Sequence, residues 1–220
     1  MAATEVDIAN LALANLGDDA SIASLDPPEG SPQSEHCARF LPLARDVLLE
    51  AHAWGFATRR VAPALLTTTN DAWTSQYRLP ADCLRVIGVL PDGYQRDDQA
   101  HLYFEIESDA DGDVLLTNSP NATLRYVARV TDPTRYSATF TQALAWLLAS
   151  YIAGPLLKGD VGAAAATTAW QVFLTWFARA SSLGANQARR RLDHAAPWMI
   201  ARTGWPLGLE DDTSYPIRSL

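Results

Sequence analysis

Apolar residues recur along this chain with two different periods, and the change of period divides it. The first helical stretch opens on Thr4-Glu5-Val6-Asp7, where Thr4 caps the helix and Asp7 reaches back to it. Ile8, Leu11, Ala12 and Leu16 then fall on one face, and Gly17 stands where the chain leaves the helix. A loop dense in breakers follows, Asp26-Pro27-Pro28-Glu29-Gly30-Ser31-Pro32. A second helix is predicted from about Ser34 to about Ala53, with Phe40, Leu41, Ala44, Val47, Leu48 and Ala51 as its apolar stripe. Pro42 lies inside that pattern, removes the bond to the carbonyl of Ala38, and predicts a kink.

From Trp54 to Asp132 the helical period is lost. Tyr77–Pro80, Leu84–Leu90, Leu102–Ile106, Val114–Thr117 and Thr123–Val130 are short, β-rich runs separated by Pro, Gly, Asn and Asp. Leu124, Tyr126, Ala128 and Val130 alternate with Arg125, Val127 and Arg129, which predicts one buried face and one largely polar face. Helical spacing returns after Pro133. Phe140, Leu144, Leu147, Leu148, Tyr151 and Ile152 mark a third helix ending near Gly154-Pro155. Trp170, Phe173, Leu174 and Phe177 mark a fourth, after the alanine run 163–166.

The expected fold is therefore α+β and mainly α: a four-helix bundle with an inserted small antiparallel β lobe and an extended C-terminal arm. Residues 1–58 and 134–186 form the bundle, its helices paired first with second and third with fourth. Residues 59–133 form the lobe and 187–220 the arm. The arm carries Arg189, Arg190, Arg191, Trp198, Trp205 and Tyr215, and Pro197, Pro206 and Pro216 interrupt it. It is too short to fold alone and too apolar for a solvated tail, so it must lie against something. Its own bundle is one such surface; a neighbouring subunit or partner, gripped through those Arg, Trp and Tyr side chains, is the other.

Charge sharpens this picture. The net charge is −8, and between Ala81 and Asp132 ten acids stand against four arginines. A protein that grips nucleic acid needs a basic stripe to displace counterions from phosphates, and the chain shows the opposite balance. Lys158 is the sole lysine beside sixteen arginines, and the planar guanidinium suits interface ion pairs. No basic and apolar leader opens the chain, and it has no run of about 18 apolar residues, so neither export nor a membrane span is expected.

Candidate chemistry is sparse. Cys37 and Cys83 lack metal-ligand spacing and read as two reduced buried thiols. No nucleophile elbow and no phosphate-cradling glycine loop occurs. His52 closes the second helix, where a positive imidazole would complement the helix dipole. Asp109-Ala110-Asp111-Gly112-Asp113 has carboxylates at alternate positions like the start of a calcium loop. Val114 and Pro120 stand where that loop needs Gly and Glu, and Asp111-Gly112 reads instead as a hairpin turn. No catalytic, cofactor or metal residue is assigned, and no enzyme activity is expected.

Four segments, in order, carry a resemblance. Glu50-Ala51-His52-Ala53-Trp54-Gly55-Phe56-Ala57-Thr58-Arg59-Arg60 resembles the E-H-x-W-x-F-A-T-x-R stretch of the tail tubular protein A family, the head-to-tail adaptors of short-tailed phages. Asp7–Gly17, Tyr77–Val86 and Arg125–Pro133 are similar to segments of the same family. The resemblance spans residues 5 to about 160 and does not reach the arm. It implies a structural virion protein at the head–tail interface, made in the host cytoplasm. Its partners would be the portal protein, a tail nozzle protein and further copies of itself in a twelve-subunit ring through which DNA passes. Two other classes remain as alternatives: a small α+β enzyme with an unrecognised site, and a DNA-packaging factor that contacts nucleic acid.

Overall fold

The computed structural model describes residues 4–67, 72–91 and 102–186. The predicted arm, with Arg189, Arg190, Arg191, Trp198, Trp205 and Tyr215, lies outside the described residues. Residues 1–188 form one compact unit. Its elements run α1 (Glu5–Asn15), α2 (Pro32–Ala51), β1 (Thr58–Val61), β2 (Ala64–Leu65), β3 (Ser75–Arg78), β4 (Cys83–Leu90), β5 (Phe104–Asp109), β6 (Gly112–Thr117), β7 (Thr123–Ala128), α3 (Ala138–Leu157) and α4 (Gly159–Asn186).

Local chemistry sets the helix ends. The Thr4 hydroxyl accepts from the Asp7 amide at 3.1 Å while the Asp7 carboxylate accepts from the Thr4 amide at 2.8 Å, a closed capping box. Gly17 follows α1 at φ 77°, a left-handed conformation that a β-carbon would strain. α2 begins earlier than its apolar pattern suggested, because the Ser31 hydroxyl accepts from the Ser34 amide and Pro32 fills the first turn. The helix continues unbroken through Pro42. Its buried face is Cys37, Leu41, Ala44, Leu48 and Leu49, rotated from the expected stripe; Val47 is exposed instead.

The four helices do not form a four-helix bundle. α1, α2 and α4 each pack on α3, while α1 and α2 scarcely touch. The reason is the composition of α3. Phe140, Ala143, Leu144, Ala145, Leu147, Leu148, Ala149, Ile152 and Ala153 are buried on successive sides, so the helix is apolar all round and accepts neighbours on each. By length and mean hydropathy (1.3) it is long and apolar enough to cross a membrane; here it is the central helix of a packed core. It runs past Gly154 and Pro155 to Leu157. A β-carbon on Gly162 of α4 would stand 3.1 Å from the Ala153 carbonyl oxygen and 3.3 Å from the Gly154 α-carbon. The two helices therefore touch backbone to backbone across a link of one residue, Lys158.

The single expected sheet is two. One has order β1-β7-β4 and the other β2-β3-β6-β5, with every pairing antiparallel. Tyr77 and Leu115 of the second sheet pack against Val89, Leu124, Tyr126 and Ala128 of the first, so the sheets face each other. The opposite face of the first sheet, through Val127, Leu84 and Ile87, joins the helical core. The β1-β7-β4 sheet is thus a middle layer between helices and outer sheet. This corrects the expected half-polar β7: Leu124, Tyr126 and Ala128 are buried on one side and Val127 on the other.

One side chain ties the layers together. Trp54, 2% exposed, follows α2 and donates its indole N–H to the Leu48 carbonyl at 2.8 Å. Its ring meets Phe140 of α3 at 5.0 Å, Phe177 of α4 at 6.2 Å and Phe56, just before β1, at 6.3 Å. Trp54→Ala is expected to cost about 3–5 kcal/mol in urea unfolding or to abolish the cooperative transition. A loss below about 1 kcal/mol would show that these layers do not depend on it.

Candidate functional site

The junction between helices and first sheet holds the densest polar chemistry among the described residues. Arg45 of α2, 9% exposed, reaches Glu5 at 3.3 Å and Asp46 at 3.2 Å. Asp46 also accepts from Arg129, just after β7, at 2.8 Å. On the sheet, Asp82 accepts from Arg59 of β1 through one oxygen and from the Tyr126 hydroxyl of β7 through the other, at 3.1 Å. The Arg129 amide donates to the Asp82 carbonyl at 2.7 Å, and Arg135 donates to the Phe56 carbonyl at 2.9 Å. Each acid here is held by a cation or hydroxyl: Glu5 joins α1 to α2, Asp46 joins α2 to the end of β7, and Asp82 joins β1 to β7. None is left facing a cleft with a nucleophile or base beside it.

The candidate titratable residues show the same pattern. His52 caps α2, its ring edge-on to Trp54 at 4.8 Å, and a β-carbon on Gly184 would sit 3.5 Å from its Nε2. Burial lowers its pKa, and the nearby Arg85 guanidinium lowers it further. The expected positive imidazole at the helix end is therefore disfavoured; desolvation and a like charge outweigh the helix dipole. Burial pushes the Cys37 thiol up to about 12, with Asp18 adding to it. Cys83 rises to about 11, first by burial and then through Asp82 and Asp113. Both are free thiols.

The acidic run forms a tight hairpin. Asp109 pairs with Gly112, which leaves Ala110 and Asp111 as the turn, and Gly112 adopts φ 131°. Both Asp109 oxygens are occupied by the guanidinium fork of Arg78, at 2.7 and 2.8 Å. Asp113 accepts from the Ser108 hydroxyl at 2.6 Å, and Asp111 points into solvent. The Arg78 fork holds the Asp109 carboxyl below its usual range. Asp109 and Asp111 both lie against the Arg78 guanidinium, Asp111 at 4.0 Å, and among the described residues no group of three ligand-type side chains is placed to hold a metal ion. A cleft beside α1 and α2, lined by Glu5, Leu25, Asp26, Pro28, Ala38, Leu41 and Pro42, presents two acids and no convergent donors.

Some of the polar groups that remain unengaged lie on strand edges. Arg60 on β1 has no acidic partner among the described residues, and Glu107 on β5 has no basic one; Glu105 meets only the Tyr103 hydroxyl at 3.4 Å. These positions were legible as charges in the sequence, but nothing in their spacing marked them as edge residues. The sequence-predicted contact residues 189–191, 198, 205 and 215 cannot be placed relative to them, since they lie outside the described residues. No protein-family model matches the chain, and no curated protein matches it either.

Two outcomes follow from these environments. Because both thiols are held protonated, a disulfide reagent at pH 7.5 should label Cys37 and Cys83 far more slowly in the native protein than in urea. A thiol labelled equally fast in both states would contradict the burial described. For His52 the folded pKa is depressed, so the unfolded chain binds the proton more readily. Its contribution to stability is full above the usual 6.5 and is lost as pH falls below that value. Urea midpoints at pH 7.5 and 5.5 should therefore drop more for the native chain than for His52→Gln; equal drops would refute the assignment.

Proposed function

We propose that this chain is a structural virion subunit, a head-to-tail adaptor of the tail tubular protein A kind. In that role it forms a ring between the portal and the tail nozzle, with a central channel for DNA. The observation that carries the reading is the set of four ordered segments resembling that family, together with where they meet. Three of them, far apart in the chain, converge on Asp82: Arg59 from one, Asp82 from the second, and Tyr126 and Arg129 from the third. The remaining segment is α1, which packs on the same central helix α3. The meeting of three resembling segments at one carboxylate supports the reading.

The chemistry of the described residues fits a structural part. Half-exposed acids are paired across elements, and the shifts of both thiols and of His52 come chiefly from burial. The acidic balance of the lobe suits a protein past which DNA slides without being held, since like charge repels the phosphates. DNA, portal and nozzle are thus the partners proposed, with further copies of this chain as ring neighbours. The contact with the portal is assigned to 187–220, where Arg189, Arg190, Arg191, Trp198, Trp205 and Tyr215 supply anchors of the type that dominates interfaces.

The test is electron microscopy of the chain mixed with the portal of its phage. A stacked ring is expected, and portal particles without added density would refute the proposal. Deleting residues 187–220 should abolish binding while leaving helical circular dichroism intact; unchanged binding would remove the arm from this role.

A further inference from the structure

The two facing sheets end on four strands, β1 and β4 in one and β2 and β5 in the other, and among the described residues β1 and β5 carry opposite charge. In the order β1-β7-β4, β1 is an edge; in the order β2-β3-β6-β5, β5 is an edge. β1 reads Thr58-Arg59-Arg60-Val61 and β5 reads Phe104-Glu105-Ile106-Glu107-Ser108-Asp109. Connectivity puts these edges on opposite flanks. Only two residues join β1 to β2, so both lie on one flank. The Leu102 amide, just ahead of β5, donates to the Val89 carbonyl of β4 at 2.8 Å, so β4 and β5 share the other.

We propose that the basic β1 edge of one copy pairs with the acidic β5 edge of the next, joining copies head to tail through an intermolecular sheet. The proposal rests on the ring reading above and names the contact between ring neighbours. Side chains alternate across a strand, so the pairing matches on both faces. Arg60 meets Glu105 and Glu107 on one face, while Val61 meets Ile106 on the other; Val61 is 38% and Ile106 48% exposed. Arg60 stands directly opposite Arg125 across β1 and β7.

Charged edges commonly prevent strands from adding to one another. Here the guard is selective. Two β1 edges repel and two β5 edges repel, whereas β1 and β5 attract. Pairing is thereby confined to a heterologous contact between different surfaces on opposite flanks, the kind that closes into rings and not into twofold dimers. A contact of about four residues per edge is small, so it should act in a templated assembly where many such contacts close together.

Disulfide trapping in the full chain tests this. Cross-strand neighbours lie within disulfide reach. With Val61→Cys and Ile106→Cys in the same chain, mild oxidation should give a ladder of covalent oligomers beyond the dimer, while either single variant gives none above the dimer. Adding Arg60→Glu should weaken the ladder about tenfold, and adding Glu105→Arg and Glu107→Arg to that variant should restore it. No ladder from the paired cysteines, or a ladder indifferent to Arg60→Glu, would overturn the proposal. A ring seen on the portal without any ladder would leave the adaptor reading standing and remove only this contact. A ladder without a ring on the portal would do the reverse.

Discussion

The architecture depends on what Trp54 does at the end of α2. Its indole N–H closes on the Leu48 carbonyl, and its ring is gripped by aromatic groups from α3, α4 and the approach to β1. A large apolar ring with one donor can serve as such a hub only if that donor is satisfied from within, and the carbonyl of the preceding helix supplies the acceptor. The direction in which the chain leaves the helix, and so the placement of β1 against β7, follows from this fixed point. The next packed aromatic groups, Phe56, Tyr136 and Phe140, extend the cluster to the start of α3. Tyr136 is anchored in turn by its hydroxyl on the Val130 carbonyl at 2.6 Å.

From this hub the layers follow in order of apolarity. α3 is apolar on all sides and becomes the centre of the helical core. The first sheet, whose strand β7 buries Leu124, Tyr126 and Ala128 on one face and Val127 on the other, becomes the middle layer. The second sheet carries the acidic hairpin and becomes the outer one. Ion pairs appear where layers meet, and they are arranged as bridges: Glu5–Arg45–Asp46–Arg129 between helices and sheet, Arg59–Asp82–Tyr126 across strands. Half-exposed pairs of this kind each contribute little to stability, but they set register and the angle between layers. Exposed charge without a partner in these bridges remains on the helices as well as at strand edges.

Much of this was legible along the chain. The Thr4 and Asp7 capping box, the Gly17 terminus, the hairpin at Asp109–Gly112 and the runs that became β3 to β7 all follow from local rules, because each depends on residues a few positions apart. The helical period likewise located all four helices, although it misplaced the ends of α2 and α3. β1 and β2 escaped notice: a four-residue edge strand with two arginines, and a two-residue strand, carry no alternation to detect.

The sequence by itself determined the four helices, the runs that became β3 to β7 and the gathering of acids in the lobe, since propensity, capping and charge are written residue by residue. Only the tertiary structure decided that α3 is a hub and not one member of a bundle, that the strands divide into two sheets, and that His52 is held away from its charged form. Those outcomes depend on which surfaces meet. Burial is a property of pairs of surfaces, so Val127 in the core and Arg60 on an open edge cannot be told apart until the layers are in place.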